Sequence, residues 1–279
     1  MQKLTIITIN YNNASGLHKT MQSVFSQTSQ EFEYIVIDGG SSDDSKNIIT
    51  QYADKANFTF RWISEKDNGI YHAMNKGIQL AQGEYIQFIN SGDCLANDSV
   101  TDNMLNALTE ETTIFYGNML KLMHYGILRD KGFAGRQPTM LDFYRGTLNH
   151  SPAYIKRSLF DQYGLYDESL KIVSDWKWYL QVIILGNENV KYNDIDVTIF
   201  DMTGISNINS KLDKEERLKV LKNLLPDKIL QDYQKWSFPI SQMQRLKKHK
   251  WPDRLFYFFE RMLFKIDKNK IKRQKEISF

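Results

Sequence analysis

Within the first 90 residues, four short apolar runs rich in β-branched and aromatic residues alternate with stretches of helical period. The runs are "KLTIITIN" (3–10), "EYIVID" (33–38), "FTFRWIS" (58–64) and "EYIQFIN" (84–90). Each is too short for a core helix and carries no internal Pro, so each reads as a buried strand. Between the first two, Leu17, Met21, Val24 and Phe25 fall on one helical face. "KNIITQYA" and "NGIYHAMNKGIQLAQG" read as the next two helices, the latter closed by Gly83. Strand–helix–strand alternation predicts right-handed βαβ units and a mainly parallel central sheet flanked by helices. "TTIFYGNM" (112–119) reads as a fifth strand and "VKYNDIDVTIFDM" as strand-like. The segment 150–186 holds two helix-like pieces, and the pattern is helical from Leu212 onward.

In an open parallel sheet, ligands bind beyond the carboxyl ends of the strands. Three strand ends here carry polar groups, Asn10, Asp38 and Asp93, and the loop after the third strand adds Asp67. Four separate segments therefore aim polar groups at one rim. Each has a plainer reading beside it. Asp38 at the end of a strand can accept a hydrogen bond from a nucleobase imide, or cap the "GGSSDDS" turn. Gly39 and Gly40 permit close approach of a ligand, or simply the turn. Asp67 and Asn68 precede a helix whose free N–H groups suit a pyrophosphate, but either residue can cap that helix. Asp93 is an oxygen ligand of the type Mg²⁺ or Mn²⁺ prefers, and Mg²⁺ often takes only one or two carboxylates, with phosphates and water completing its shell. In "SDWKWY", Asp175 is a helix cap or a general base, and Trp176 and Trp178 are core or a sugar platform. His150 is a satisfied loop residue or a ligand contact.

Composition enters at three points. The single cysteine, Cys94, excludes an internal disulfide and fits a reducing compartment. No apolar run reaches about 18 residues, so no membrane-spanning helix is expected, and "MQKLTIITIN" does not read as a signal peptide. The net charge of +3 is uneven: residues 245–279 carry twelve Lys/Arg against four Asp/Glu, and the preceding 244 residues are net negative. Trp251, Leu255, Phe256, Phe258, Phe259, Met262, Leu263 and Phe264 lie among those cations, and a helix is expected to begin at Pro252. A cationic, aromatic amphipathic helix suits an anionic membrane surface, or packs its aromatic side on the preceding domain. Nucleic-acid binding is disfavoured, because no recognised nucleic-acid motif accompanies the tail. A dinucleotide-dependent oxidoreductase is disfavoured because "NYNNASG" lacks G-x-G-x-x-G.

Taken in order, these segments resemble the GT-A-fold, family 2 glycosyltransferases, nucleotide-sugar-dependent enzymes that build bacterial surface polysaccharides. "TIITINYNN" is like the family's first strand, and "YIVIDGGSSDDS" is similar to its strand-D-[DG]-G-S-x-D pattern. "DNGIYHAMNKGIQLAQGEYIQFINSGD" is similar to D-x-G-x-x-x-A-x-N-x-G followed by the DXD region. "NHSPAYIKRSLFDQYGLYDESLKIVSDWKWY" is like the acceptor segment with its terminal base motif. The resemblance runs over roughly residues 3–205.

The resemblance implies a GT-A domain over 1–210, with a nucleotide-sugar half of about 1–119 and an acceptor half of about 120–210. A helical, basic-aromatic extension would occupy 211–279. By the same matches, Thr8, Asn10 and Tyr11 would cradle the base, with Asp38 on a uracil-type imide. Asp67, with Gly40, Asn68 and Ser91, would lie near ribose and diphosphate. Asp93 would hold Mn²⁺ or Mg²⁺, Asp175 would be the catalytic base, and His150 and Trp176 would meet the acceptor. The implied activity is an inverting, metal-dependent hexosyl- or N-acetylhexosaminyl-type transfer from a UDP-sugar. The acceptor would be a saccharide or a polyprenyl-linked saccharide, and the enzyme would be cytoplasmic, peripheral on the inner face of the cell membrane. Gly39 stands where many members carry a second Asp, and Asn90 and Gly92 where many carry further acids. Substrate phosphates are expected to supply the charge those acids provide elsewhere. The competing expectation is a non-catalytic nucleotide-sugar-binding protein with a degenerate DXD site.

Overall fold

The computed structural model describes residues 2–109, 112–124, 126–201, 209–248, 257–259 and 261–265. The chain forms two compact units, 1–224 and 225–279.

In the first unit the expected alternation appears as β1 (Leu4–Asn10), α1 (Ala14–Phe25), β2 (Phe32–Asp38), α2 (Ser45–Ala53), β3 (Phe60–Ser64), α3 (Ile70–Leu80) and β4 (Tyr85–Phe88). β1, β2 and β4 are buried along their whole length, which is why their sequences are apolar runs rather than alternating patterns. Helix α1 lays Leu17, Met21 and Val24 onto Leu4, Ile6, Tyr34 and Val36. β1 pairs in parallel with both β2 and β4, and β2 with β3. The register matches Asn10 with Asp38 and Asp38 with Ser64. Three polar strand ends therefore lie side by side at one rim.

The opposite end of the sheet is closed by a buried acid. Glu33 is fully buried and accepts from Thr5 Oγ1 at 2.7 Å and from the Gln82 N–H at 2.8 Å, and it pairs with Arg61. A carboxylate in that position is tolerable only because its lone pairs are met.

Beyond β4 the sheet stops being parallel. β5 (Cys94–Leu95), α4 (Val100–Ala107), β6 (Ile114–Met123), β7 (Gly126–Asp130), α5 (Met140–Arg145), β8 (Ala153–Lys156) and α6 (Ser158–Tyr163) follow. α7 (Ser174–Tyr179) runs into a π-helical stretch, Leu180–Leu185, and then comes β9 (Val190–Phe200). The sheet order is β3-β2-β1-β4-β8-β6-β9-β5, with β7 on β6. β8 is antiparallel to β4 and β6, β9 is parallel to β6, and β5 is antiparallel to β9. The mainly parallel sheet expected from sequence thus describes β1 to β4, and the whole nine-stranded sheet is mixed. At its outer branch β6 and β7 are joined by a tight hairpin, which only antiparallel strands allow.

α8 (Ser210–Leu224) closes the first unit, burying Glu216, Val220 and Leu221. The division between units therefore falls after Leu224, later than the 210/211 boundary expected from sequence. In the second unit the described residues include α9 (Asp227–Lys248), with Pro239 inside it. Tyr257, Phe258, Phe259, Met262, Leu263 and Phe264 are exposed. The helix start expected at Pro252 lies outside the described residues. No described helix is long and apolar enough to cross a membrane.

Candidate active site

The strand ends open into a cavity of about 950 Å³ lined by residues of all four expected segments, among them Asn10, Tyr11, Gly40, Asp67, Asn68, Ser91 and Asp93. Its size is at the upper end of what small-molecule sites span.

One wall is built by the loops after β1 and β2. Asn12 and Asp43 tie them together: the Ser42 N–H donates to Asn12 Oδ1 at 2.8 Å, and the Ala14 N–H donates to Asp43 Oδ2 at 2.8 Å. Gly40 turns at φ +76, and a Cβ there would come within 3.1 Å of the Lys66 nitrogen. Asp38 is fully buried and does not line the cavity. Its carboxylate accepts from Asn10 Nδ2 (2.8 Å), Ser41 Oγ (2.5 Å), the Ser41 N–H (3.0 Å) and Ser64 Oγ (2.7 Å). Burial pushes its pKa up, but these donors outweigh burial and hold it below the ordinary carboxylate value. Both oxygens are thus engaged by the protein, which corrects the expectation that Asp38 itself presents an acceptor to a base. What Asp38 does is fix Asn10. With the Asn10 amide N–H₂ held against the carboxylate, the Asn10 carbonyl oxygen is left buried without a partner, in a residue that lines the cavity. Thr8 also departs from expectation. It is fully buried, donating to the Ile89 carbonyl at 2.7 Å and accepting from the Tyr34 hydroxyl at 2.9 Å, so it braces β1 rather than lining the cavity. Tyr11 is 68% exposed and stands over Gly39, where a Cβ would come within 3.2 Å of its ring.

The floor is the start of α3. Neither Asp67 nor Asn68 caps it; the N-cap is Gly69, with φ +124 and no side-chain cap. Asp67 instead pairs through Oδ1 with Lys76 at 2.7 Å and with His72 Nδ1 at 2.9 Å. Its Oδ2 is buried without a partner, in a residue that lines the cavity. Asn68, Gly69 and Ile70 line the cavity beside Lys66, which supplies positive charge suited to phosphates.

The turn after β4 holds the acidic corner. Thr20 of α1 grips it, donating to the Asp93 carbonyl at 2.6 Å and accepting from the Gly92 N–H at 3.0 Å. Asn13 Nδ2 donates to the Ser91 carbonyl at 3.0 Å. Asp93 is 5% exposed, and Oδ1 accepts from the Asp201 N–H at 2.8 Å. Burial raises its pKa to about 7; the Asp201 N–H opposes that shift and the Asp201 charge adds to it. Asp201 also lines the cavity, at the end of β9. Gly92 has φ +111, and a Cβ on it would lie 2.7 Å from Asp201 Oδ2. The position that lacks an acid in sequence therefore leaves room for Asp201, which lies 108 residues beyond Asp93 in the chain. Sequence reasoning missed Asp201, which ends a long strand with no motif around it.

The donor set at this corner is all oxygen: the Asp93 and Asp201 carboxylates and the Asn90 Oδ1, which is buried without a partner. That set fits a hard divalent cation. Among the described residues no three His, Cys, Asp or Glu side chains form a metal cage, so ligands beyond these would come from substrate oxygens or water.

Asp175, in the first turn of α7, accepts from the Tyr71 hydroxyl at 2.9 Å, and Tyr71 lines the cavity. Burial, with the Asp175 charge adding to it, raises the Tyr71 pKa well above the ordinary phenol value, so Tyr71 remains a donor. His150 lies nearby but is not among the lining residues. It stacks on Phe88 at 5.0 Å and bonds Tyr166 through Nε2 at 2.9 Å. Burial lowers its pKa, partly offset by the Asp175 charge, so it is neutral at pH 7. Trp176 is core: it is 1% exposed, donates to the Phe143 carbonyl at 2.9 Å and carries Arg217 on its face at 4.5 Å. Trp178 is buried against Phe160 at 4.4 Å. The sugar-platform expectation for Trp176 therefore fails, because both indole faces of this turn point inward.

This arrangement matches known proteins at the level of both sequence and fold. The family model described as Glycosyl transferase family 2 matches residues 5–128. An uncharacterized glycosyltransferase of Mycobacterium tuberculosis is 31% identical over 210 residues, covering 72% of this chain and 76% of that protein. A PGL/p-HBAD biosynthesis glycosyltransferase of Mycobacterium bovis is 25% identical over 216 residues, covering 76% and 81%. Among solved structures, S. aureus TarS 1-349 in complex with UDP-GlcNAc superposes with a TM-score of 0.65 at 19% identity, over 78% of this chain and 64% of that one. A mannosyltransferase from Pyrobaculum calidifontis in complex with GDP-Man and Mn²⁺ gives 0.57 at 14%, over 71% and 56%. The chain thus spans less than two thirds of these solved chains. The fold is that of the GT-A glycosyltransferases. The chain belongs to glycosyl transferase family 2.

Proposed function

We propose that this glycosyltransferase moves a hexosyl or N-acetylhexosaminyl unit from a UDP-sugar to a hydroxyl of a saccharide or polyprenyl-linked saccharide, with inversion, in surface polysaccharide synthesis. The observation that carries the reading is convergence: the four rim segments and the end of β9 place unpartnered acceptors, Lys66 and the Asp93 and Asp201 carboxylates around one cavity, with Asp175 hydrogen-bonded to a residue in its wall. The Asn10 Oδ1 is an acceptor for the imide N–H of uracil, and Tyr11 offers a face for the ring. Asp67 Oδ2 suits the ribose hydroxyls, and Lys66 with the start of α3 suits the diphosphate. Asp93, Asp201 and Asn90 would hold Mn²⁺ or Mg²⁺. Bound there, the cation would supply electrostatic stabilisation to the leaving diphosphate. Asp175 takes the proton of the attacking hydroxyl as the new bond forms, and Tyr71 keeps its carboxylate oriented. One base and attack opposite the leaving group invert the anomeric centre. Asp201 also argues against a degenerate, purely binding site, because it restores a second carboxylate where the linear motif shows one.

A thermal-shift panel of UDP-, GDP- and dTDP-sugars, with and without Mn²⁺, tests the donor. UDP-sugars with Mn²⁺ are expected to raise Tm most, since a ligand that binds only the native state stabilises by mass action. A larger shift with GDP-sugars would reject uracil recognition by Asn10.

The exposed aromatic residues at 257–264, set in a tail with twelve Lys/Arg, support peripheral attachment to the inner face of the membrane. Liposomes containing anionic lipid are expected to float the full chain and not a chain lacking 245–279. Equal flotation of both would remove the tail from membrane binding.

A further inference from the structure

Helix α8 is strongly charged, and most of its acids and bases face solvent. Glu216 is the exception, at 8% exposed. Its carboxylate accepts from three successive backbone N–H groups: Lys171 at 2.8 Å, Ile172 at 3.0 Å and Val173 at 3.3 Å. Successive amides converging on one carboxylate form an anion-binding nest, and such a contact is what makes a buried charge tolerable. These three residues immediately precede α7, whose N-cap, Val173, has no side-chain cap of its own. The stretch also forms part of the cavity, through Leu170 and Lys171.

The same stretch is gripped from the other side. The Tyr71 hydroxyl approaches the Ile172 carbonyl at 2.5 Å and Asp175 Oδ1 at 2.9 Å. The next residue of α8 repeats the grip beyond Asp175: Arg217 lies over the Trp176 ring at 4.5 Å and donates to the Gly146 carbonyl at 3.2 Å. Adjacent residues of α8 thus hold the backbone just before Asp175 and the ring just after it.

We infer that Glu216 is a positioning residue for the transfer reaction, clamping the 171–173 backbone so that Asp175 meets the acceptor hydroxyl in a reactive geometry. This rests on the role of Asp175 proposed above. Glu216 touches no residue of the base-binding wall and meets the cavity-lining Lys171 only through its backbone N–H, so its contribution is expected on the chemical step more than on donor binding. Small displacements of a reacting group are enough to lower rates by up to about 10²-fold.

The test compares wild type with Glu216→Gln, which keeps the side-chain length but removes the charge and one acceptor. The expected result has three parts: kcat lower by about 10–10²-fold, the UDP dissociation constant in Mn²⁺ within about twofold of wild type, and faster hydrogen exchange at the amides of 171–173. The exchange measurement needs no turnover. If Glu216→Gln does not fold, Glu216→Asp, which keeps the charge but is one methylene shorter, carries the same expectation. An unchanged kcat beside an active wild type overturns the clamp and leaves the transferase reading standing. A lower kcat with unchanged exchange at 171–173 also overturns it, because the effect would not run through that backbone. A wild-type protein that transfers from no nucleotide sugar overturns the transferase reading, and the clamp with it.

Discussion

Replacing Asp175 with Asn is expected to lower sugar transfer by about 10²–10⁴-fold, the range a positioned general base contributes. The substitution keeps the shape of the side chain and an oxygen able to accept from the Tyr71 hydroxyl, so α7 and the wall of the cavity stay in place. What it removes is the carboxylate proposed above as the base for the acceptor hydroxyl. Donor binding therefore stays near the wild-type value, because Asp175 lies outside the acceptors offered by Asn10 and Asp67. Radiolabelled-sugar transfer and calorimetric titration with UDP-sugar, run on the same preparation, separate the two quantities. Near wild-type transfer by the Asn variant would show that the base is elsewhere.

The second large effect concerns stability and runs in the opposite direction to activity. Asp93 is buried and its pKa is raised to about 7, whereas in the unfolded chain it titrates near 3.8. The native state therefore favours the protonated acid. The stability this gives is complete below about pH 4 and is lost as pH rises through 7. At pH 8 the ionised, buried carboxylate costs on the order of 4 kcal/mol, at 1.36 kcal/mol per unit of pKa difference. Asp93→Asn removes the ionisation while leaving an oxygen for the Asp201 N–H. In metal-free buffer the variant is expected to melt roughly 10 °C above wild type at pH 8, at about 2–4 °C per kcal/mol, and close to wild type at pH 4.5. It is also expected to show less of the Mn²⁺-dependent rise in Tm proposed above for the UDP-bound protein. Equal melting of the two proteins at both pH values would contradict this account. The strain is understandable as a stability–function compromise: a corner destabilised on its own is one a cation can stabilise on binding.

The half of the molecule that was legible in sequence is the half with local periodicity. β1, β2 and β4 were readable because each is buried along its whole length, so burial writes itself as an apolar run, while half-buried β3 was marked by its aromatic and β-branched residues. The right-handed crossover then places their carboxyl ends on one rim, which is why the sequence alone groups Asn10, Asp67 and Asp93. β5, β7 and β8 escaped notice. They are two, five and four residues long, and β7 is exposed, so no burial pattern marks it. Side-chain direction was likewise invisible: Thr8, Asp38 and Trp176 sit at the expected places in the chain yet turn into the protein.

Sequence by itself determined the βαβ framework, the rim and the acids at 67, 93 and 175, because period and turn chemistry act over a few residues. Only tertiary structure decided how those acids are used. Asp201 reaches Asp93 across Gly92, Asp38 turns its carboxylate to Asn10, and Glu216 holds the backbone ahead of Asp175. Each of these contacts joins distant segments whose meeting depends on how the whole sheet packs, and no local pattern encodes it. The missing acid beside Asp93 is the clearest instance: the turn at position 92 has φ +111, which favours glycine, and the space beside it is taken by the carboxylate that follows β9.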